Sequence, residues 1–300
     1  MTSVERKEPF LSIIVPVYEH WGLARKLLNG LLAQTLPREY WEAVIVDNGS
    51  KQRPNFEELS KEFPGIHFTV CERAGSYAAR NYAIERTKGD YLVFTDADCV
   101  PDVEWLKQLW LAIEADATSE YCLRAGGIQM VNFDDAPLTS AGLFDMFLGL
   151  PQERYARSGK AATANLTIPR AVVKEVGMFD DTRFSGGDVD FCLRAKQAGF
   201  KMIYQETAFV QHPIRNDFSE LARKRRRIKG GQIKNGSIAR RMQFVLRTFS
   251  PPILAYMRIL RKPGFSISKR VKAIGIVTRL WGVEVSELFR LLFGASPERR

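Results

Sequence analysis

Short apolar runs alternate with amphipathic stretches over the first 115 residues of the chain. Leu11 to Tyr18 (LSIIVPVY) is a continuous apolar run and reads as a buried strand. Leu23 to Gln34 carries Leu23, Leu27, Leu28, Leu31 and Leu32 at helical spacing. Ala43 to Val46 is a second strand, closed by the turn-forming Asp47-Asn48-Gly49-Ser50. A weak helix over Phe56 to Phe63, a strand over Ile66 to Cys71 and a helix over Tyr77 to Thr87 follow. Tyr91 to Phe94 is a fourth strand, which runs into Asp96-Ala97-Asp98. A helix over Val103 to Ala115 comes next, with Pro101 suited to its first turn. Strands that alternate with helices of about 10–15 residues predict right-handed βαβ units and a mostly parallel sheet.

Beyond residue 115 the pattern is less regular. Arg124 to Asn132 reads as a strand and Pro137 to Gly149 as a helix. Ala161 to Ile168 contains an extended segment, Asp188 to Ala198 is a helix stopped by Gly199, and Lys201 to Gln211 is a last strand. Met242 to Leu260 and Val271 to Phe293 are helical in pattern, broken at Pro251-Pro252 and Pro263-Gly264. The expected division is an α/β domain over 1–213 and a basic helical extension over 214–300.

Charge supports that division. Ile214 to Arg300 holds 21 Lys and Arg against five carboxylates, net +16, whereas the preceding residues hold 23 against 29, net −6. The hydrophobic share of 45% is enough for a sizeable core. Four scattered cysteines without a CxxC pair argue against structural zinc and for free buried thiols. The charged start MTSVERKEPF has no apolar signal region, and no run reaches ~18 apolar residues. The expected location is cytoplasmic, with peripheral contact to the inner membrane face.

Candidate chemistry gathers at strand ends, where open α/β sheets bind ligands. Tyr18-Glu19, Asp47-Asn48 and Asp96 to Asp98 all fall there. A turn or helix cap accounts for any one of them, and one shared cleft accounts for all three. Two Asp separated by one residue suit a hard divalent cation, Mn2+ or Mg2+, which neutralises a diphosphate leaving group. One carboxylate then serves the metal and the other the ribose. Gly186-Gly187-Asp188-Val189-Asp190 precedes a helix. Asp188 is either its cap or a base for an acceptor hydroxyl.

Six segments then stand in order: Ile14-Val15-Pro16-Val17-Tyr18, Val46-Asp47-Asn48-Gly49-Ser50, Ala78-Ala79-Arg80-Asn81, Phe94-Thr95-Asp96-Ala97-Asp98, Ala164-Asn165-Leu166 and Gly186 to Asp190. In this series the chain resembles the inverting family-2 glycosyltransferases of GT-A fold, over about residues 10 to 213. The resemblance implies a Rossmann-like GT-A sheet flanked by helices and an enzyme of hexosyltransferase type. Its donor is a nucleotide sugar, usually of UDP, and its acceptor a glycan, a lipid-linked glycan or a small molecule. It implies that Pro16 and Tyr18 line the nucleobase pocket, Asp47 bonds the base and Arg80 reaches the nucleotide. Asp96 would lie near ribose and sugar, Asp98 would bind the metal, and Asn165 would flank the acceptor and sugar site. Asp188 would be the general base. A His near the end of the last strand approaches metal or diphosphate in such enzymes, which marks His212; a hydrogen-bonded strand-end histidine is the other reading. The chain departs from the family at Gly187, where Glu is common, and at Glu19, where Asn is common.

The run Arg223 to Gln232 (RKRRRIKGGQ) has three readings: a solvated helix face, cations over the donor diphosphate, or a lipid-headgroup contact. The stripe Val271, Ile274, Val277, Leu280, Trp281, Val285, Leu288 and Phe289 lies in a membrane interface or packs on protein. An anionic membrane surface is therefore an expected partner of the C-terminal helices, and nucleic acid is not. Other functions weighed are a sugar-nucleotide nucleotidyltransferase, which wants a Gly-rich phosphate loop in place of Val17 to Gly22, and a nucleotide-sugar-binding protein without activity.

Overall fold

The computed structural model describes residues 8–133, 137–183, 185–234 and 237–298. Part of the charged N-terminal segment, and residues 134–136 of the irregular middle region, lie outside them. In chain order the elements are β1 (Leu11–Val17), α1 (Trp21–Leu32), β2 (Trp41–Asp47), α2 (Phe56–Glu62), β3 (Ile66–Val70), α3 (Ser76–Ile84), β4 (Tyr91–Thr95), β5 (Val100–Pro101), α4 (Trp105–Ala115) and β6 (Cys122–Val131). There follow α5 (Ser140–Leu148), α6 (Gln152–Arg157), β7 (Asn165–Pro169), α7 (Arg170–Val176), α8 (Gly187–Gln197) and β8 (Lys201–Pro213). The last four are α9 (Phe218–Lys234), α10 (Ile238–Phe249), α11 (Ile253–Arg261) and α12 (Ile267–Leu292).

The eight strands form one sheet in the order β3-β2-β1-β4-β7-β6-β8-β5. β3, β2, β1 and β4 are parallel, as their apolar runs and intervening helices require. The rest of the sheet turns antiparallel: β7 pairs with β4 and β6, and β5 pairs with β8. The parallel expectation thus describes the first half, and the whole sheet is mixed. Pro101 belongs to β5 and not to the first turn of α4, which starts at Trp105. α1 buries Trp21, Ala24, Leu27, Leu28 and Leu31, the face its Leu spacing predicted. α3 buries Ala78, Ala79 and Ala83, small residues that let the helix approach β1 and β2 closely.

The chain forms two compact units. The first joins Met1–Gln129, Pro151–Thr182 and Gly187–His212; the second joins Met130–Leu150, Arg183–Gly186 and Pro213–Arg300. The second unit therefore also takes α5, whose Phe144 and Phe147 share an apolar core with Leu221, Ile259, Ile276, Val277 and Leu280. Much of the α12 stripe read from the sequence lies inside this unit: Val277, Leu280 and Leu288 are buried, and Trp281 Nε1 donates to Thr248 O at 2.8 Å. The basic run lies on α9, where Arg225 and Lys229 each reach a Glu284 oxygen at 3.1 Å. That run is accordingly part of a helix interface and not a uniformly solvated face. Among the described residues, no helix is long and apolar enough to cross a membrane.

Candidate active site

The parallel strands deliver the first group of side chains. In register, Val17 of β1 pairs with Asp47 of β2, so the half-buried Pro16 and Tyr18 stand beside Asp47 at adjoining strand ends. Asp47 is fully buried. Its Oδ2 accepts from Trp21 Nε1 at 3.0 Å, and its Oδ1 accepts the Gly49 and Ser50 N–H groups at 3.1 Å each. The carboxylate thus shapes its own turn. Glu19, nearby, adopts a left-handed backbone (φ 60°), a conformation Asn tolerates better than Glu. Its carboxylate accepts from Lys51 N at 3.0 Å and its own N–H donates to Ser50 Oγ at 2.8 Å, which holds the turn.

α3 delivers Arg80, which is 3% exposed. Its guanidinium donates to Asp96 Oδ1 at 2.6 Å, while its Nε is buried without a hydrogen-bond partner. Asp96 is itself open to solvent along one side. Two residues on, Asp98 Oδ2 lies 3.8 Å from Nε2 of the buried His212 at the end of β8. Asp98, Cys99 and His212 bring ligand atoms within 4.8 Å of one another. Burial, with the Asp98 and Asp96 charges beside it, pushes the Cys99 thiol well up.

Asp188 enters in the first turn of α8. Burial raises its carboxyl above the usual Asp range, while the Val189 N–H and the Arg80 charge favour the ionised form; Asp96 acts the other way. Tyr77 Oη stands between two groups of this turn, accepting from Gly187 N at 2.9 Å and donating to Asp188 Oδ1 at 3.3 Å. Burial and the Asp188 charge raise the Tyr77 hydroxyl far above its ordinary value, so it remains a donor. The ring explains the glycine. A Cβ on Gly187 would fall 2.7–2.9 Å from Tyr77 ring carbons, closer than any real contact. Tyr77 and Gly187 are thus a matched pair, 110 positions apart in sequence. Spacing gives no signal for it.

Asn165 is held inside the sheet. It is 1% exposed, its Nδ2 donates to Gly127 O at 2.8 Å and to Ala208 O at 2.9 Å, and its Oδ1 accepts from Trp105 Nε1 at 3.1 Å. Its amide ties β6, β7, β8 and α4 together, in space left by Gly126, where a Cβ would meet the amide at 2.3–2.5 Å. Asp96, Arg80, Tyr77 and Asp188 form a chain of contacts: Asp96 to Arg80, Arg80 over the Tyr77 ring at 5.7 Å, and Tyr77 to Asp188.

Comparison with known proteins bears on this geometry. The family model for glycosyl transferase family 2 matches residues 12–175. The glycosyltransferase AglE of Haloferax volcanii is 31% identical over 273 residues, which are 89% of this chain and 86% of AglE. A pre-mycofactocin glycosyltransferase of Mycobacterium tuberculosis is 26% identical across 71% of this chain, which spans 45% of that relative. Among solved structures, a mannosyltransferase of Pyrobaculum calidifontis in complex with GDP-Man and Mn2+ shares the fold with a TM-score of 0.60 at 17% identity, over 95% of this chain and 88% of that one. S. aureus TarS 1-349 in complex with UDP-GlcNAc aligns with a TM-score of 0.53 at 16% identity, over 93% of this chain and 89% of that one. With a family model across more than half its length and a relative at this identity along nearly all of it, the chain belongs to glycosyl transferase family 2 and is a glycosyltransferase.

Proposed function

We propose that this glycosyltransferase moves a hexose from a nucleotide-sugar donor, a UDP-sugar, to an acceptor hydroxyl with inversion, using Asp188 as general base. The observation that carries this reading is the contact chain Asp96–Arg80–Tyr77–Asp188 beside the Asp98–His212 pair. A nucleotide-sugar donor accords with the GDP-Man and UDP-GlcNAc held by the two structural neighbours. Asp98 and His212 fit a divalent ion: ligand bonds of about 2.0–2.2 Å span a carboxylate and an imidazole 3.8 Å apart, and the mixed O/N set suits Mn2+ at least as well as Mg2+. When bound, such an ion would neutralise charge on the departing diphosphate.

The chain's own residues do the rest. Arg80 fixes the direction of Asp96, whose open side serves ribose and sugar. Pro16, Tyr18 and Asp47 form the nucleobase end, with Asp47 acting through the turn it holds. Asp188 takes the proton of the acceptor hydroxyl as its oxygen attacks the anomeric carbon; the bond to the diphosphate oxygen breaks on the opposite face and its electron pair leaves with the nucleotide. The raised carboxyl of Asp188 suits it to hold that proton. Tyr77 positions Asp188, and Asn165 acts as a brace for the sheet beneath the site. The acceptor is a glycan, a lipid-linked glycan or a small molecule, and peripheral contact of the C-terminal helices with an anionic membrane belongs to the same reading.

The test is nucleotide release from a panel of nucleotide sugars, with and without Mn2+. Release that needs metal and disappears in Asp98→Ala is expected; metal-independent release would remove the metal assignment. Asp188→Asn should stop transfer and leave donor binding. Weakened binding with intact turnover would remove the base assignment.

A further inference from the structure

The apolar stripe of α12 is largely packed inside the second unit, but three neighbouring helix segments leave apolar faces open. α10 shows two sides. Phe244 and Val245 pack with Ile233, Leu288 and Leu291. The adjoining side carries Ile238, Met242 and Leu246, spaced by four residues and between 54% and 79% exposed, while Phe249 beside them meets Phe289 of α12 edge-on at 6.0 Å. α11 repeats the arrangement: Ile259 is buried, while Leu254, Met257 and Leu260 are exposed. Ile267 and Val271 extend it on the first turns of α12. Both α10 and α11 pack on α12. Isolated surface leucines need no explanation, but successive helices with unpartnered apolar stripes mark a docking surface.

Charge decides what fits. From Ser237 to Val283 the sequence has ten Lys and Arg and no Asp or Glu. Arg240, Arg241, Arg247 and Arg261 lie on the same short helices as the stripes. A second copy of this chain would bring a like-charged field against this one with no carboxylate to pair. A bilayer with anionic headgroups meets both features together, taking the apolar side chains at the acyl boundary and the cations at the phosphates. α10 and α11, of 12 and nine residues, are too short to span and long enough to lie in the interface. We infer that the exposed face of α10 and α11, continued onto the start of α12, docks this protein on an anionic lipid bilayer.

This rests on the proposed membrane contact and not on the transfer chemistry, so vesicle binding and nucleotide release can fail separately. The experiment is co-sedimentation of the full chain with vesicles of phosphatidylcholine alone or with phosphatidylglycerol, at low and high NaCl. Binding to the mixed vesicles is expected to exceed binding to phosphatidylcholine by roughly tenfold or more, and to fall by a similar factor at about 0.5 M salt. The cations of α9 would attract anionic vesicles without any apolar face, so the deciding arm is Leu246→Glu and Leu254→Glu. Each should weaken binding by about tenfold, with unchanged thermal unfolding and unchanged nucleotide release in solution. The assignment is overturned if both variants bind as the parent does, or if neutral and anionic vesicles bind alike or not at all. It is overturned equally by a lipid-free dimer that Leu246→Glu dissociates, which would give the face to a second copy.

Discussion

Replacing Gly187 by alanine adds one methyl group at the point where the active-site turn meets Tyr77. The new Cβ would lie 2.7, 2.8 and 2.9 Å from Cε2, Cζ and Cδ2 of the ring. Carbon contacts settle at about 3.5–4.0 Å, so the ring must retreat by roughly 0.7 Å. It has little room to do so. Tyr77 stacks on Phe179 at 5.7 Å, and Phe179 lies against Phe94 at 5.3 Å and Phe191 at 4.7 Å, both of them fully buried. Overpacking of this kind costs about 1–3 kcal/mol. For a chain of 300 residues that lowers Tm by roughly 2–5 °C, read by calorimetry. The same retreat breaks the 3.3 Å bond from Tyr77 to Asp188. That bond holds the Asp188 carboxyl down against the burial that raises it. Its loss moves the acid limb of kcat/KM to higher pH, by less than about one unit, because the hydrogen bond is one of several opposing causes. Tyr77→Phe should reproduce the pH shift, and it also loses about 1–2 kcal/mol because the buried Gly187 N–H is left without its acceptor. In Tyr77→Ala/Gly187→Ala the clash is absent, so the double variant should be more stable than the sum of the single effects predicts. Strict additivity, or a Gly187→Ala enzyme with the parent's Tm and pH profile, would refute the matched-pair argument.

Three further outcomes follow from named contacts. Asp96→Ala strands the buried Arg80 cation, whose Nε is already without a hydrogen-bond partner; the variant should lose about 3 kcal/mol in urea unfolding, beyond any effect on donor binding. Asn165→Ala leaves Gly127 O, Ala208 O and Trp105 Nε1 unpaired in the core and should cost about 3–5 kcal/mol by the same measurement, with kcat/KM per folded molecule nearly unchanged if the amide is a brace. Lys224 is depressed to about 8, by burial first and then by the Arg215 charge. Its folded pKa lies below the unfolded one, so the unfolded chain binds more protons between about pH 8 and 10.5, and the Lys224 contribution to stability rises with pH across that window. Lys224→Met should therefore be more stable than the parent at pH 7, by up to about 3 kcal/mol, and should lack that part of the rise; equal pH slopes in the two proteins would count against it.

Local pattern sufficed for most elements because local forces make them. The runs at Leu11, Ala43, Ile66 and Tyr91 become β1 to β4, since continuous apolar residues must be covered on both faces. The Pro251-Pro252 break separates α10 from α11 as its missing N–H groups require. β5, α6 and α7 were not legible, and a helix was only one of the readings open to the basic run. β5 has two residues, α6 and α7 have six and seven, and a helix as polar as α9 shows no apolar stripe before its partner α12 is known.

The sequence by itself determined the alternation that builds the parallel half-sheet, the acidic motifs at its strand ends and the basic character of the second unit. Tertiary structure alone decided that β7 enters antiparallel beside β4 and that Tyr77 takes the space left by Gly187, and it set the 3.8 Å approach of His212 to Asp98, two residues the family resemblance marks for one metal. It also decided which apolar stripe is core and which is open: α12 buries Val277, Leu280 and Leu288, while α10 leaves Met242 and Leu246 outside. The reason is common to all four. Periodicity records that a residue faces something, but the identity of its neighbour depends on packing between elements far apart in the chain, which only the folded backbone specifies.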